Sequence, residues 1–310
     1  MNVKLTIAFD GTSFAGWQRQ RRLPTIQAAL EDGLARLLGE AVVVHGAGRT
    51  DAGVHAAGMV ANFRASRRLP LAAYHHGLNS MLPPAIRILA AEEAAPDFHA
   101  RFSARGKIYV YGFTTAAIMP PCRRLYTAHF PGSFNPGSVV EALPRLLGEH
   151  DFTTFEAAGS RWRPGEGGAP EGRGGVRRLF HLSLHRGSEA VLPAAALRAA
   201  STAAGLIAAA TPSSEVGQPA GGEESDDPAG LALGPGDEPP AGDNYYLVVA
   251  GDGFLRHMVR NLAGTLLEIG RDKRTPESLP QLLADRDRSR AGPTAPAHGL
   301  TLWRVLYDGF

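Results

Sequence analysis

The run Gly46-Ala47-Gly48-Arg49-Thr50-Asp51-Ala52-Gly53-Val54-His55-Ala56 constrains this chain more than any other segment. An apolar, strand-like stretch precedes it (Ala41 to His45) and another follows it (Met59 to Phe63). The run therefore reads as a glycine-rich turn between two strands, with an ionisable pair, Arg49 and Asp51, at its centre. Glycines at such a turn permit positive φ and let another backbone or a ligand approach closely. A guanidinium beside a carboxylate favours the ionised form, which is ready to act as nucleophile or base. The alternative is a turn stapled by a local Arg–Asp pair. A nucleotide-phosphate loop does not fit. The dinucleotide fingerprint requires glycine where Asp51 stands, and no Gly-Lys-Ser/Thr follows.

A chain of 310 residues can bury a sizeable core, split here into two lobes. The lone Cys122 excludes a disulfide framework and any Cys-rich zinc site, and it suits a reducing compartment. Met1 to Phe9 reads as a strand rather than a signal peptide, and no apolar run reaches membrane-spanning length. A cytoplasmic protein without membrane contact is expected. The formal charge is only +2, but it is unevenly spread. Thr211 to Asp243 holds eight carboxylates and no Lys or Arg, so setting those negatives aside takes the remainder from +2 to +10. Basic clusters recur at Arg19/Arg21/Arg22, Arg64/Arg67/Arg68, Arg101/Arg105/Lys107, Arg123/Arg124 and Arg173/Arg177/Arg178. Any one is an ordinary solvated face, whereas together they read as a surface for a phosphate backbone.

The first half reads β-α-β-β-α-β. Val3 to Phe9 alternates as a strand. Thr25 caps a helix with Ile26, Leu30, Leu34, Leu37 and Leu38 at helical spacing, and Gly39 stops it. A helix is predicted from Pro70 to about Asn79 and a strand over Ile86 to Ala91. The second half opens near Ala104 with the strand Ile108 to Phe113. A helix follows over about Gly137 to Leu147, distorted by Pro144. Strands cover Val176 to His185 and Tyr245 to Ala250, and a helix runs from Leu255 to about Ile269. Thr275-Pro276 opens a last helix, and Leu300 to Leu306 closes as a strand. Strands with helices segregated to one face argue for α+β. Two segments break the pattern. Gly159 to Gly175, rich in Gly, Pro and Arg, is expected as a mobile loop. The stretch 186–243 combines an Ala-rich part (Ala194 to Ala210) with a Gly/Pro/acidic part, 211–243, expected to be a disordered insertion.

Four motifs, in order, carry a resemblance. They are Gly46 to Ala56; Phe9-Asp10-Gly11-Thr12-Ser13-Phe14-Ala15-Gly16-Trp17-Gln18; Phe98-His99-Ala100-Arg101-Phe102-Ser103-Ala104 leading into Lys107-Ile108-Tyr109-Val110-Tyr111; and Gly253-Phe254-Leu255-Arg256-His257-Met258-Val259-Arg260-Asn261. Gly148 to Phe155 is a lesser match. The chain so resembles the TruA family of tRNA pseudouridine synthases. The resemblance implies two ferredoxin-like or RNA-recognition-motif-like lobes, residues 1–103 and 104–310, joined in one mixed sheet with an RNA cleft between them. It also implies isomerisation of uridine to pseudouridine at positions 38 to 40 in the tRNA anticodon stem-loop, by a homodimer. The rival reading is a non-catalytic RNA-binding or tRNA-folding protein on the same fold. Intact Asp51, Arg49, Tyr109 and Arg260 argue against it.

The resemblance also implies roles. Asp51 would be the nucleophile, Arg260 its charge partner from the second lobe, and Arg49 would displace the target base from its stack. Tyr109 would lie in the substrate pocket, with its ring on the flipped uracil and its hydroxyl as a polar or proton-handling group. Lys107 stands where many relatives have Arg and would touch phosphate, and Leu255 would pack beside the base or in the core. Arg256 is assigned to solvent or phosphate. The reaction needs no oxidation, phosphate or metal, so no cofactor is expected. His55 and the pair His75-His76 lack accompanying ligands at metal spacing.

Overall fold

In the computed structural model, which describes residues 1–158, 174–187 and 244–307, the alternation at the N-terminus forms strand β1 (Asn2–Phe9). Val3, Leu5 and Ile7 point to one face and are fully buried. Helix α1 (Ile26–Leu38) begins where Thr25 accepts a hydrogen bond from the Ala28 N–H at 3.3 Å, and ends at Gly39 in the left-handed region. Its Ile26, Leu30 and Leu34 are 0% exposed, so each contributes about 1.5–3 kcal/mol of apolar burial. The chain continues through β2 (His45–Gly46), β3 (His55–Arg64), a π-helical turn (Ala73–Gly77), α2 (Leu78–Met81), β4 (Ile86–Ala94) and β5 (Gly106–Thr114). Next come β6 (Ala128–His129), α3 (Pro136–Ala142), β7 (Gly148–Asp151), β8 (Val176–Gly187) and β9 (Asn244–Gly251). Helix α4 (Met258–Gly270), helix α5 (Ser278–Asp285) and β10 (Leu300–Leu306) complete the chain.

All ten strands among the described residues belong to one mixed sheet of order β4-β1-β3-β10-β5-β9-β8-β7, with β2 added beside β3 and β6 beside β5. The last strand thus lies at the middle. It runs parallel to β3 and antiparallel to β5. The main core packs helical side chains, among them Leu30, Leu34, Leu262 and Leu266, against one face. Ile108, Val110, Tyr246, Val248, Ala250 and Leu306 form a smaller cluster that draws in Trp303. β9 is accordingly buried along its whole length.

Two boundaries differ clearly from the sequence reading. The strand expected over Ala41 to His45 shrinks to His45–Gly46, because α1 side chains take up the Val44 backbone. Gln27 donates to the Val44 carbonyl at 3.1 Å, and Glu31 accepts from its N–H at 3.1 Å. The helix expected from Leu255 begins at Met258, since His257 (φ 61°) leaves the helical path. At Pro144 the helix of the 137–147 segment tightens into a 3₁₀ turn, Leu143–Leu146, which is the distortion expected there. The expectations for the 194–210 and 211–243 segments lie outside the described residues, as does nearly all of that for 159–175.

Candidate active site

Asp51 sits in the loop between β2 and β3, and the N-terminal motif holds that loop in place. The Trp17 N–H donates to the Thr50 carbonyl at 3.1 Å and the Gly53 N–H to the Phe14 carbonyl at 3.4 Å. Gly16 adopts φ +92° with its α-carbon against the Thr50 carbonyl, where a methyl group would collide. Two requirements, left-handed backbone and close approach, therefore meet at one glycine. Below the loop, His55 is 3% exposed. Its Nδ1 accepts from the Gly11 N–H at 3.1 Å, which leaves Nε2 as donor to the Leu125 carbonyl at 2.9 Å. Burial pushes the His55 pKa down, against the pull of Asp10. The residue is a neutral brace.

The opposite wall comes from the start of α4. Arg260 donates from Nε to the Ala295 carbonyl at 2.8 Å and from Nη1 to Asp51 Oδ2 at 3.4 Å. The helix start is fixed by Asn261, 0% exposed. It donates to the Phe155 carbonyl at 2.7 Å and accepts from Thr294 Oγ1 at 2.6 Å and Arg288 at 3.0 Å. Positions 51 and 260 are 209 residues apart in sequence, and the sheet brings them into one ion pair.

One cavity of about 1060 Å³ collects all six residues singled out from sequence: Arg49, Asp51, Lys107, Tyr109, Leu255 and Arg260. Tyr109, on β5, is 8% exposed and packs edge-on against Phe254 at 5.0 Å between ring centroids. Burial, helped by the Asp51 charge, raises its phenol pKa, so the hydroxyl stays protonated. Lys107 places Nζ against Gly48, and burial, with Arg101 and Arg177 nearby, lowers its pKa to about 8. Leu255 is half-buried, and Arg256 is exposed. Arg49 is exposed at the cavity and, among the described residues, makes no ion pair with Asp51. The stapled-turn reading is therefore replaced by a pair with Arg260 across the cavity.

The sequence reading gave His257 no role. Its Nε2 lies 3.4 Å from Asp51 Oδ2, and burial lowers its pKa although Asp51 pulls it up. Among the described residues no three His, Cys, Asp or Glu side chains converge as a metal site. Among the same residues no helix is long and apolar enough to cross a membrane.

The profile of the family described as tRNA pseudouridine synthase matches residues 5–103 and 142–308. The chain belongs to this family. It is 39% identical over 306 residues to tRNA pseudouridine synthase A 1 of Desulfotalea psychrophila, covering 99% of both chains. It is 37% identical over 305 residues to tRNA pseudouridine synthase A of Geobacter sulfurreducens, covering 98% of this chain and 99% of that one. With tRNA pseudouridine synthase A of Myxococcus xanthus it shares 36% over 308 residues, covering 99% of this chain and 92% of that one.

Proposed function

We propose that this protein isomerises uridine to pseudouridine in tRNA, at positions 38, 39 and 40 of the anticodon stem-loop, with Asp51 as nucleophile. The observation that carries the reading is the meeting of Asp51, Arg260 and Tyr109 in one cavity. The reaction breaks the N1–C1′ bond, turns the uracil while it is held, and joins C5 to C1′. C5 gives up its proton and N1 gains one, so no oxidant or cofactor is consumed. A carboxylate serves this chemistry by adding to C6, by attacking C1′, or by taking a C2′ proton. All three require one ionised group in a site poor in water.

Arg260 binds the Asp51 carboxylate and turns it toward the substrate, a task suited to a permanently ionised planar guanidinium. Tyr109 presents an aromatic face to the extruded base and a hydroxyl donor to its polar edge. Arg49, unpaired with Asp51 and at the mouth of the cavity, is placed to occupy the gap left by the displaced base. In this proposal residues 1–103 supply the nucleophile and residues 104–310 supply Tyr109 and Arg260. The protein works as a cytoplasmic homodimer, a state that light scattering of the full chain tests. Mapping pseudouridine in tRNA from cells with and without the protein tests the activity. The expected result is loss at the three positions and nowhere else, and unchanged modification overturns the assignment.

A further inference from the structure

Phe102 is 77% exposed on the wall of the cavity, where a phenyl ring does nothing for the core. Its surroundings are aromatic and basic. The Phe102 ring lies 4.4 Å from that of His99, which lies 5.0 Å from that of His45. The Arg101 guanidinium stands 5.7 Å from the Phe102 centroid. All four side chains line the cavity that holds Asp51. Among the described residues, neither Arg101 nor Lys107 has a carboxylate partner in this corner. Repelling cations left without a counter-charge at an open cavity are relieved by an anion. The cavity volume of about 1060 Å³ is also at the top of the range of about 300–1,000 Å³ for single small-molecule pockets. A reacting nucleoside alone leaves part of it empty.

We propose that this wall is a second nucleotide subsite. There a base adjacent to the reacting uridine leaves its own stack and lies on Phe102, while its phosphate sits between Arg101 and Lys107. The inference rests on the RNA-modifying reading above. A single-stranded nucleotide fits better than a peptide, because it alone brings a flat π-face and a phosphate at neighbouring positions.

The test uses an unmodified tRNA transcript and the full chain, with Asp51→Asn added so that binding is read without turnover. Phe102→Ala should weaken binding by about tenfold to a hundredfold. Its melting temperature should be unchanged, since the side chain is exposed. Phe102→Trp should bind within about threefold of the parent, and its fluorescence should be quenched as the base stacks on the indole. Placing an abasic nucleotide on either side of the target uridine completes a cycle. At one of the two positions the lesion should weaken binding to the parent and cost Phe102→Ala nothing more. Unchanged binding by Phe102→Ala, or additive losses at both positions, overturns the subsite. Pseudouridine formation by the unmutated protein is read separately. Product without quenching refutes the subsite alone, and quenching without product refutes the catalytic reading alone.

Discussion

Replacing Arg260 by methionine removes the charge facing Asp51 while keeping an unbranched, though shorter, chain. At the observed 3.4 Å the pair interacts by about 5 kcal/mol if the effective dielectric is about 20. The two side chains retain 15% and 29% exposure, so solvent offsets roughly half of this and leaves about 2–3 kcal/mol. If that energy holds the Asp51 carboxylate oriented for attack, Arg260→Met should slow the chemical step by about 30- to 150-fold. Lysine restores the charge but not the planar fork that reaches both Ala295 and Asp51, so Arg260→Lys should lose about tenfold. Arg256→Lys, at an exposed position four residues earlier and outside the helix, should stay within about twofold. The assay is single-turnover release of tritium from C5-labelled uridine in tRNA, with enzyme in excess so that binding does not limit. A rate for Arg260→Met within threefold of the parent, or a greater loss in Arg256→Lys than in Arg260→Lys, would refute the reasoning.

Three further outcomes follow from particular contacts. His257→Asn keeps a residue that tolerates the left-handed backbone and removes the imidazole 3.4 Å from Asp51. Stability should be unchanged, while the single-turnover rate falls about tenfold if the 3.4 Å contact with the carboxylate is worth about 1.4 kcal/mol in the transition state. His55 is held neutral, with its folded pKa below the ordinary 6.5. Below pH 6.5 the unfolded chain therefore binds more protons than the folded one. His55 stability is full above 6.5 and is lost as pH falls toward the folded pKa. Thermal melts should drop between pH 7.5 and 5.5, and less steeply in His55→Gln; equal slopes would contradict this. Gly264→Ala drives a methyl group into the Pro293 carbonyl, two residues from the Ala295 that anchors Arg260. It should cost about 2–3 kcal/mol in denaturant unfolding and reduce activity as well. Gly39→Ala, with open space around it, should cost only about 1 kcal/mol and spare activity.

Local signals in the sequence reached far into this fold. Thr25 and Gly39 bracket α1 because capping is a contact between near neighbours. Alternation located β1 because burial on a sheet follows a period of two. The central place of β10 was not legible, since strand order depends on pairings across the whole chain. Nor was the end of the strand near Val44, where Gln27 and Glu31 replace a neighbouring strand as partners. At the site, Asp51 and Arg260 stand in motifs whose resemblance to a family linked them across 209 positions. His257 lies in one of those motifs, yet its place beside Asp51 depends on a φ of 61°, a backbone conformation uncommon for any non-glycine residue and not readable from the motif. The same break in the helix ends the Leu255 turn and aims the imidazole into the cavity. Arg49 shows the opposite case, since adjacency suggested a local pair with Asp51 and the fold instead leaves its side chain exposed at the cavity.

The central claim is that one carboxylate, Asp51, carries the chemistry. Purified parent and Asp51→Asn proteins should be incubated with the same unmodified tRNA transcript, with pseudouridine counted in the product and binding measured alongside. The parent should convert its target uridines. Asp51→Asn should form no pseudouridine above background while binding the tRNA within about tenfold of the parent, because phosphate contacts supply most of the affinity. Turnover by Asp51→Asn well above background would contradict the account.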